Sequence, residues 1–129
     1  MIILYFKLTP EALNELKNIS KASPAIRLFQ SWCKHSLDDM KWRGRFKLIC
    51  KCLNLDDFGI PAAISQYNGK PILIRKTGTV TRNSEYIQMR IDIFKFDIFA
   101  KKSINLLISR MKDMLLEVGF VIEVEQRRD

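Results

Sequence analysis

Histidine is nearly missing from this chain: His35 is the only one in 129 residues. It falls near the end of an amphipathic stretch with no nucleophile beside it, so no Ser/His or Cys/His arrangement presents itself. The five glycines are scattered, which excludes a phosphate-cradling loop. Asp38-Asp39 and Asp56-Asp57 are paired carboxylates, but they stand in breaks between elements, where caps and turns account for them. The expectation is a protein that is not an enzyme and carries no cofactor or metal.

Cysteine is scarce and odd in number, with three residues. That argues against a secreted disulfide framework. Cys50 and Cys52 lie two apart on a strand and share one face, and Cys33 falls in a helix. No CxxC or Cys/His spacing points to zinc. Long apolar runs are also missing, for nothing approaches the ~18 residues of a membrane span. Residues 2–6 are too short for a signal-peptide core and lack a basic start and a cleavage site. We expect a cytoplasmic protein whose contact with membranes, if any, is peripheral.

Acidic residues are the minority, 14 against 22 basic, for a net charge of +8. The imbalance favours anionic partners: phospholipid head groups, nucleic acid or acidic proteins. Nucleic acid ranks last, because the cations are not interleaved with aromatics as in an RNA-reading sheet.

What the chain does contain is ordinary apolar content, 47%, in patterns that define elements. Residues 1–129 are one domain's worth of chain, long enough to bury a core without staples. Residues 70–102 are the organising stretch: two strands, a polar turn at 82–84, then a helix. Ile87, Met89, Ile91 and Ile93 alternate with Tyr86, Gln88, Arg90 and Asp92, the period of a sheet with one buried face. Residues 45–53 alternate too, with Phe46, Leu48, Cys50 and Cys52 on one side and Arg45, Lys47 and Lys51 on the other. Residues 2–8 read as a strand. Thr9-Pro10 and Ser23-Pro24 each start a helix with a cap and a first-turn proline. Residues 38–44 read as a turn-rich connection, and 60–66 as a short helix. A long helix is expected over 99–118, because Ile104, Leu107, Ile108, Met111, Leu115 and Val118 recur at three- and four-residue steps. Gly119 would stop it, and 120–126 would form a last strand. There Phe120, Ile122 and Val124 would face inward and Glu123 and Glu125 outward, and the whole reads as an α+β domain: a mainly antiparallel sheet of about five strands with helices packed on it, order β-α-α-β-(α)-β-β-α-β. The main core contact is expected between the row 87–93 and the stripe 104–118.

Several segments form a recognisable ordered set: Arg45-Phe46-Lys47-Leu48-Ile49, Asn54 with Asp56-Asp57, Tyr67-Asn68-Gly69-Lys70-Pro71, residues 86–93, and Val118-Gly119-Phe120-Val121-Ile122-Glu123. Together, across residues 3–123, they resemble the C-terminal domain of plant Enhanced Disease Resistance 2-like proteins, a domain of unknown function. The chain departs from that pattern at Cys50, where proline is usual, at Gln88 and Arg90, where acids are usual, and at Phe94, where histidine is common. Relatives tend to continue into a Glu-Leu-Pro-Glu segment, so this chain is expected to be trimmed or to lack that tail. In the plant proteins the domain follows PH and START lipid-binding domains. The resemblance therefore implies work at membranes or with lipid, and no established activity.

Two functions follow as expectations. One is a lipid- or membrane-surface-associated binding module with a basic face for anionic head groups. Its contact candidates are Arg45, Lys47 and Lys51 on one strand, Lys70, Arg75 and Lys76 on the hairpin, and Lys101 and Lys102 at the long helix. The other is a protein-interaction or scaffold domain with no small ligand, anchored by Trp42, Tyr86 or Phe94.

Overall fold

A computed structural model describes residues 2–124. Thr9 accepts a hydrogen bond from the Ala12 N–H and opens helix α1 (Pro10–Lys17), with Pro10 in its first turn. Ser23 does the same for α2 (Pro24–His35) through the Ile26 N–H. The Glu15 carboxylate accepts from the Ser23 N–H, which ties α1 to the start of α2 and holds its pKa below the usual value. Residues 38–44 are not an open connection. Asp39 caps a short helix α3 (Met40–Arg43), and Arg43 donates back to the carbonyls of Ser36 and Leu37.

Strand β1 (Phe46–Cys52) is the centre of a three-stranded antiparallel sheet, β2-β1-β5. β2 is short (Pro71–Leu73) and β5 runs Leu116–Ile122. The register sets Phe46 opposite Ile122, Leu48 opposite Phe120 and Cys50 opposite Val118. Facing residues in an antiparallel pair share a side, so these form one face. Trp32 of α2, 2% exposed, stacks on Phe46 at 5.4 Å, Phe46 stacks on Phe120 at 5.3 Å, and Phe6 meets Phe120 edge-on at 4.9 Å. This aromatic file joins α2 to the sheet, with Trp32 its buried end.

Two asparagines finish β1. Asn68 pairs its amide with both backbone groups of Cys52, at 2.7 and 2.9 Å. Asn54 accepts from the Leu115 N–H and donates to the Asp113 carbonyl. Between them lie a 3₁₀ turn, Leu55–Phe58, and the expected short helix α4 (Ala62–Ser65). Gly69, at φ +72°, then turns the chain into β2 beneath the Lys51 stem.

The hairpin is a separate two-stranded sheet, β3 (Gly78–Arg82) with β4 (Ile87–Ile91). The expected strand 71–80 is broken at Ile74, which is fully buried. Gly78 donates to the Ile74 carbonyl, and a Cβ at Gly78 would stand 2.8 Å from that oxygen, so only glycine closes this bend. Asn83 shapes the hairpin turn by accepting from the N–H groups of Glu85 and Tyr86. The alternation of β4 holds from Ile87 to Ile91, with Gln88 and Arg90 exposed. The strand ends there, because Asp92 caps a 3₁₀ turn over Ile93–Lys95.

Three further expectations fail. Residues 2–8 form no strand, and only Phe6 makes a ring contact with the sheet. The long helix α5 covers Ile98–Ile108 and is followed by a 3₁₀ turn at Met111–Asp113. Leu115 to Val118 fit a helical stripe, but Asn54 captures the chain at 113 and 115, and β1 offers seven register positions from residue 116 onward. Gly119 is therefore mid-strand. Finally, the dominant packing is β1 with β5 and β2, and β3 with β4, while α5 buries no residue and is not the main cover of β4. The chain is nonetheless α+β, with a mainly antiparallel sheet. The residues 125 and 126 of the expected last strand, and the polar tail 127–129, lie outside the described residues.

Candidate functional site

The basic row expected on β1 is not a row of free cations. Lys47 forms an ion pair with Glu123 at 3.2 Å and its side chain is only 16% exposed. Lys51 stands opposite Glu117 in the register, its stem lying over Gly69. Arg45 stacks on Trp42, with its guanidinium carbon 3.7 Å from the ring centroid, and His35 lies against the same ring. Trp42 is thus half-buried and not the exposed anchor the sequence suggested. The Arg75 stem packs against Gly44, next in sequence to Arg45, and Lys76 is exposed in the following turn. Arg45 and Arg75 thus lie near the opening of β1, whereas Lys51 lies towards its far end.

A second group gathers around α5. Lys70 Nζ lies 5.6 Å over the Tyr67 ring, and Tyr67 meets Phe99 at 6.0 Å. Through those rings Lys70 approaches the first turn of α5, whose exposed face carries Lys101 and Lys102. Lys101 donates to the Phe94 carbonyl at 3.3 Å, closing α5 onto the 3₁₀ turn before it.

That closure builds a projection from residues 93–102. Asp92 accepts from the Phe94 N–H, and Asp97 accepts from the Ala100 N–H at 2.7 Å. Both carboxylates serve as caps, so the chain makes two tight starts in succession, and residues 93–95 and 97–99 are exposed while Phe96 is half-buried. Phe94 is 82% exposed, Ile98 70% and Phe99 48%. Lys95, Lys101 and Lys102 flank them. A notch of about 120 Å³ runs between the turn and α5, lined by Ile93, Phe94, Lys101 and Ile104. Sequence reasoning named Lys101, Lys102 and Phe94 but not Ile98, Phe99 and Lys95. The available signal was an apolar run carrying two aspartates at cap positions and three lysines.

On the sheet face away from Trp32, an open groove of about 340 Å³ is lined by Ile49, Lys51, Gly69, Glu117, Gly119 and Val121. Its two charged groups are of opposite sign. Burial pushes the Cys33 thiol up to about 11 against the pull of Arg82, and burial raises Cys50, with Cys52 adding to the effect. Among the described residues, no three of His, Cys, Asp and Glu are grouped so as to hold a metal ion. No helix among them is long and apolar enough to cross a membrane.

These features define a class: a basic α+β domain built on a short antiparallel sheet, with aromatic and cationic side chains presented together at its surface. The chain belongs to the family described as Protein ENHANCED DISEASE RESISTANCE 2, C-terminal, whose model matches residues 1–129, its whole length. No curated protein and no solved structure matches it. The segments that carried the resemblance have structural parts to play: 45–49 lead into and form β1, Asn54 and Asn68 pin its end, Gly69 turns into β2, and 118–122 lie on β5.

Proposed function

We propose that this domain is a non-enzymatic, cytoplasmic module that docks peripherally on anionic membrane surfaces through the projection 93–102. The observation that supports it is the joint exposure of Phe94, Ile98 and Phe99 among Lys70, Lys95, Lys101 and Lys102. Apolar side chains beside cations suit the boundary between head groups and acyl chains. Each large apolar side chain withdrawn from water contributes about 1.5–3 kcal/mol. Each cation at an anionic leaflet adds about 1 kcal/mol. Immobilising the domain offsets much of that sum, so the docking is reversible and needs both kinds of contact. Lys47 and Lys51, facing acids, contribute less to it than the sequence alone would assign.

Vesicle flotation tests this reading. The domain should float with phosphatidylcholine vesicles containing phosphatidylserine, and float poorly with phosphatidylcholine alone. Raising salt should release part of the bound protein. Phe94→Asp with Ile98→Asp should abolish flotation at any salt, whereas Lys101→Glu with Lys102→Glu should weaken it mainly at low salt. Equal indifference to both vesicle types would end the proposal. The scaffold reading rests on Tyr86, 57% exposed beside the hairpin turn, and one stoichiometric protein partner lost on Tyr86→Ala would favour it.

A further inference from the structure

The two edges of the three-stranded sheet are unlike. β2 is three residues long and begins with Pro71, a short, proline-blunted edge of the kind that resists further pairing. β5 is seven residues long, contains no proline or lysine, and carries one charge, Glu117. Its backbone alternates in direction. Glu123 N–H donates to the Arg45 carbonyl, and the Leu115 carbonyl accepts from Leu53. By the two-residue period, residues 117, 119 and 121 also face β1, which leaves the N–H and C=O groups of Leu116, Val118, Phe120 and Ile122 directed outward. Among the described residues, no backbone or side-chain hydrogen bond is made to them. Residues 2–8 touch this strand through the Phe6 ring without pairing with it.

We infer that the outer edge of β5 pairs antiparallel with the same edge of a second copy, centred on Gly119. The sequence about that glycine is nearly symmetric: Val118 and Phe120 one step away, Leu116 and Ile122 three steps away. An antiparallel pair centred there sets Phe120 opposite Val118 of the partner subunit, and Ile122 opposite Leu116 of the partner subunit. These are the outward-facing residues, so each pair exchanges both backbone hydrogen bonds, and apolar side chains meet apolar side chains. Gly119 would face its own copy in a non-hydrogen-bonded pair, where backbones come closest. Nothing among the described residues requires glycine at that position, for a Cβ there would meet no atom within 4 Å and its φ is not positive. Close approach by another backbone is one of the reasons for a glycine inside a strand.

The apolar side chains along this strand are open to a partner. Leu116, Phe120 and Val121 are each at least 40% exposed. Isologous pairing of one edge closes with two copies and leaves the blunted β2 edges outermost.

The experiment is sedimentation equilibrium of the full chain across a concentration series, without lipid. We expect a dimer that dissociates on dilution. The register sets Val121 opposite Glu117 of the partner subunit, so Val121→Glu should weaken the dimer at least tenfold. The new carboxylate faces Lys47 within its own chain, so the fold should persist by circular dichroism. Amide exchange gives a reading that needs no variant: Leu116, Val118, Phe120 and Ile122 should be protected at dimeric concentrations and exchange freely when diluted. A monomer at every concentration overturns the inference. So does a dimer whose mass ignores Val121→Glu, or one in which those four amides exchange freely.

Discussion

Cys33 shows how burial sets chemistry at a single side chain. Half-buried on α2, its thiol has Arg82 nearby, and burial outweighs that positive charge, lifting its pKa to about 11. A raised thiol pKa means a scarce thiolate: at pH 8 about one molecule in a thousand is ionised, and thiolate is the nucleophile. Iodoacetamide should therefore modify Cys33 in the native protein far more slowly than in urea, with the native rate still climbing tenfold per pH unit from 8 to 10. A native rate that levels off near pH 9 would contradict this. Local signals of this size were readable in the sequence. Thr9, Ser23 and Asn83 do what their residue types and neighbours announced, because a cap or an Asx turn is decided within a few positions. The charges were not readable in this way. Nothing near Lys47 in sequence says that Glu123, reached only through the β1–β5 register, lies beside it.

Among the elements, β1 depends most on residues outside itself. Asn54 bridges the end of β1 to the strand partner that arrives much later in the chain, accepting from Leu115 and donating to Asp113. Losing it would strand both backbone groups and free the connection after α5. Asn54→Ala should cost about 1–3 kcal/mol by urea unfolding, and Asn54→Asp should recover only the acceptor half. A loss below a few tenths of a kcal/mol would show that water replaces the amide at little cost. The same residue explains the largest misreading of the sequence. Leu115 and Val118 satisfy the helical period and also sit on or beside a strand, and periodicity cannot separate the two. Tertiary pairing with β1 decides it, and no local pattern carries that information. Residues 2–8 err in the opposite direction. Their strand-forming composition is plain, but a strand needs a partner backbone, and in the single chain they have none.

For the molecule as a whole, the notable quantity is how little is hidden. Among the described residues, only Ala22, Trp32, Cys52, Ile74 and Val80 are buried apolar ones. The denaturant slope follows the surface released on unfolding. In urea it should fall in the lower part of the usual range of about 1–3 kcal/mol/M, measured at concentrations where the chain is monomeric. A slope at the upper end would mean that unfolding releases surface these contacts do not bury. This sparse interior is also why the candidate site was only half readable: Phe94, Ile98 and Phe99 look like core residues in sequence, and the role proposed for them rests on their exposure.

The Asn54–Leu115 contact spans 61 positions, and that span has a temporal meaning. A ribosome adding about 5–20 residues per second leaves β1 waiting roughly 3–12 s for β5 to emerge. During that interval β1 has only three-residue β2 beside it, while its Phe46, Leu48 and Cys50 lie uncovered on one flank. Helix α2, already synthesised, can lay Trp32 over Phe46 in the meantime. The aromatic stack is therefore the earliest protection available to the nascent chain, and the closing of the sheet is its final step.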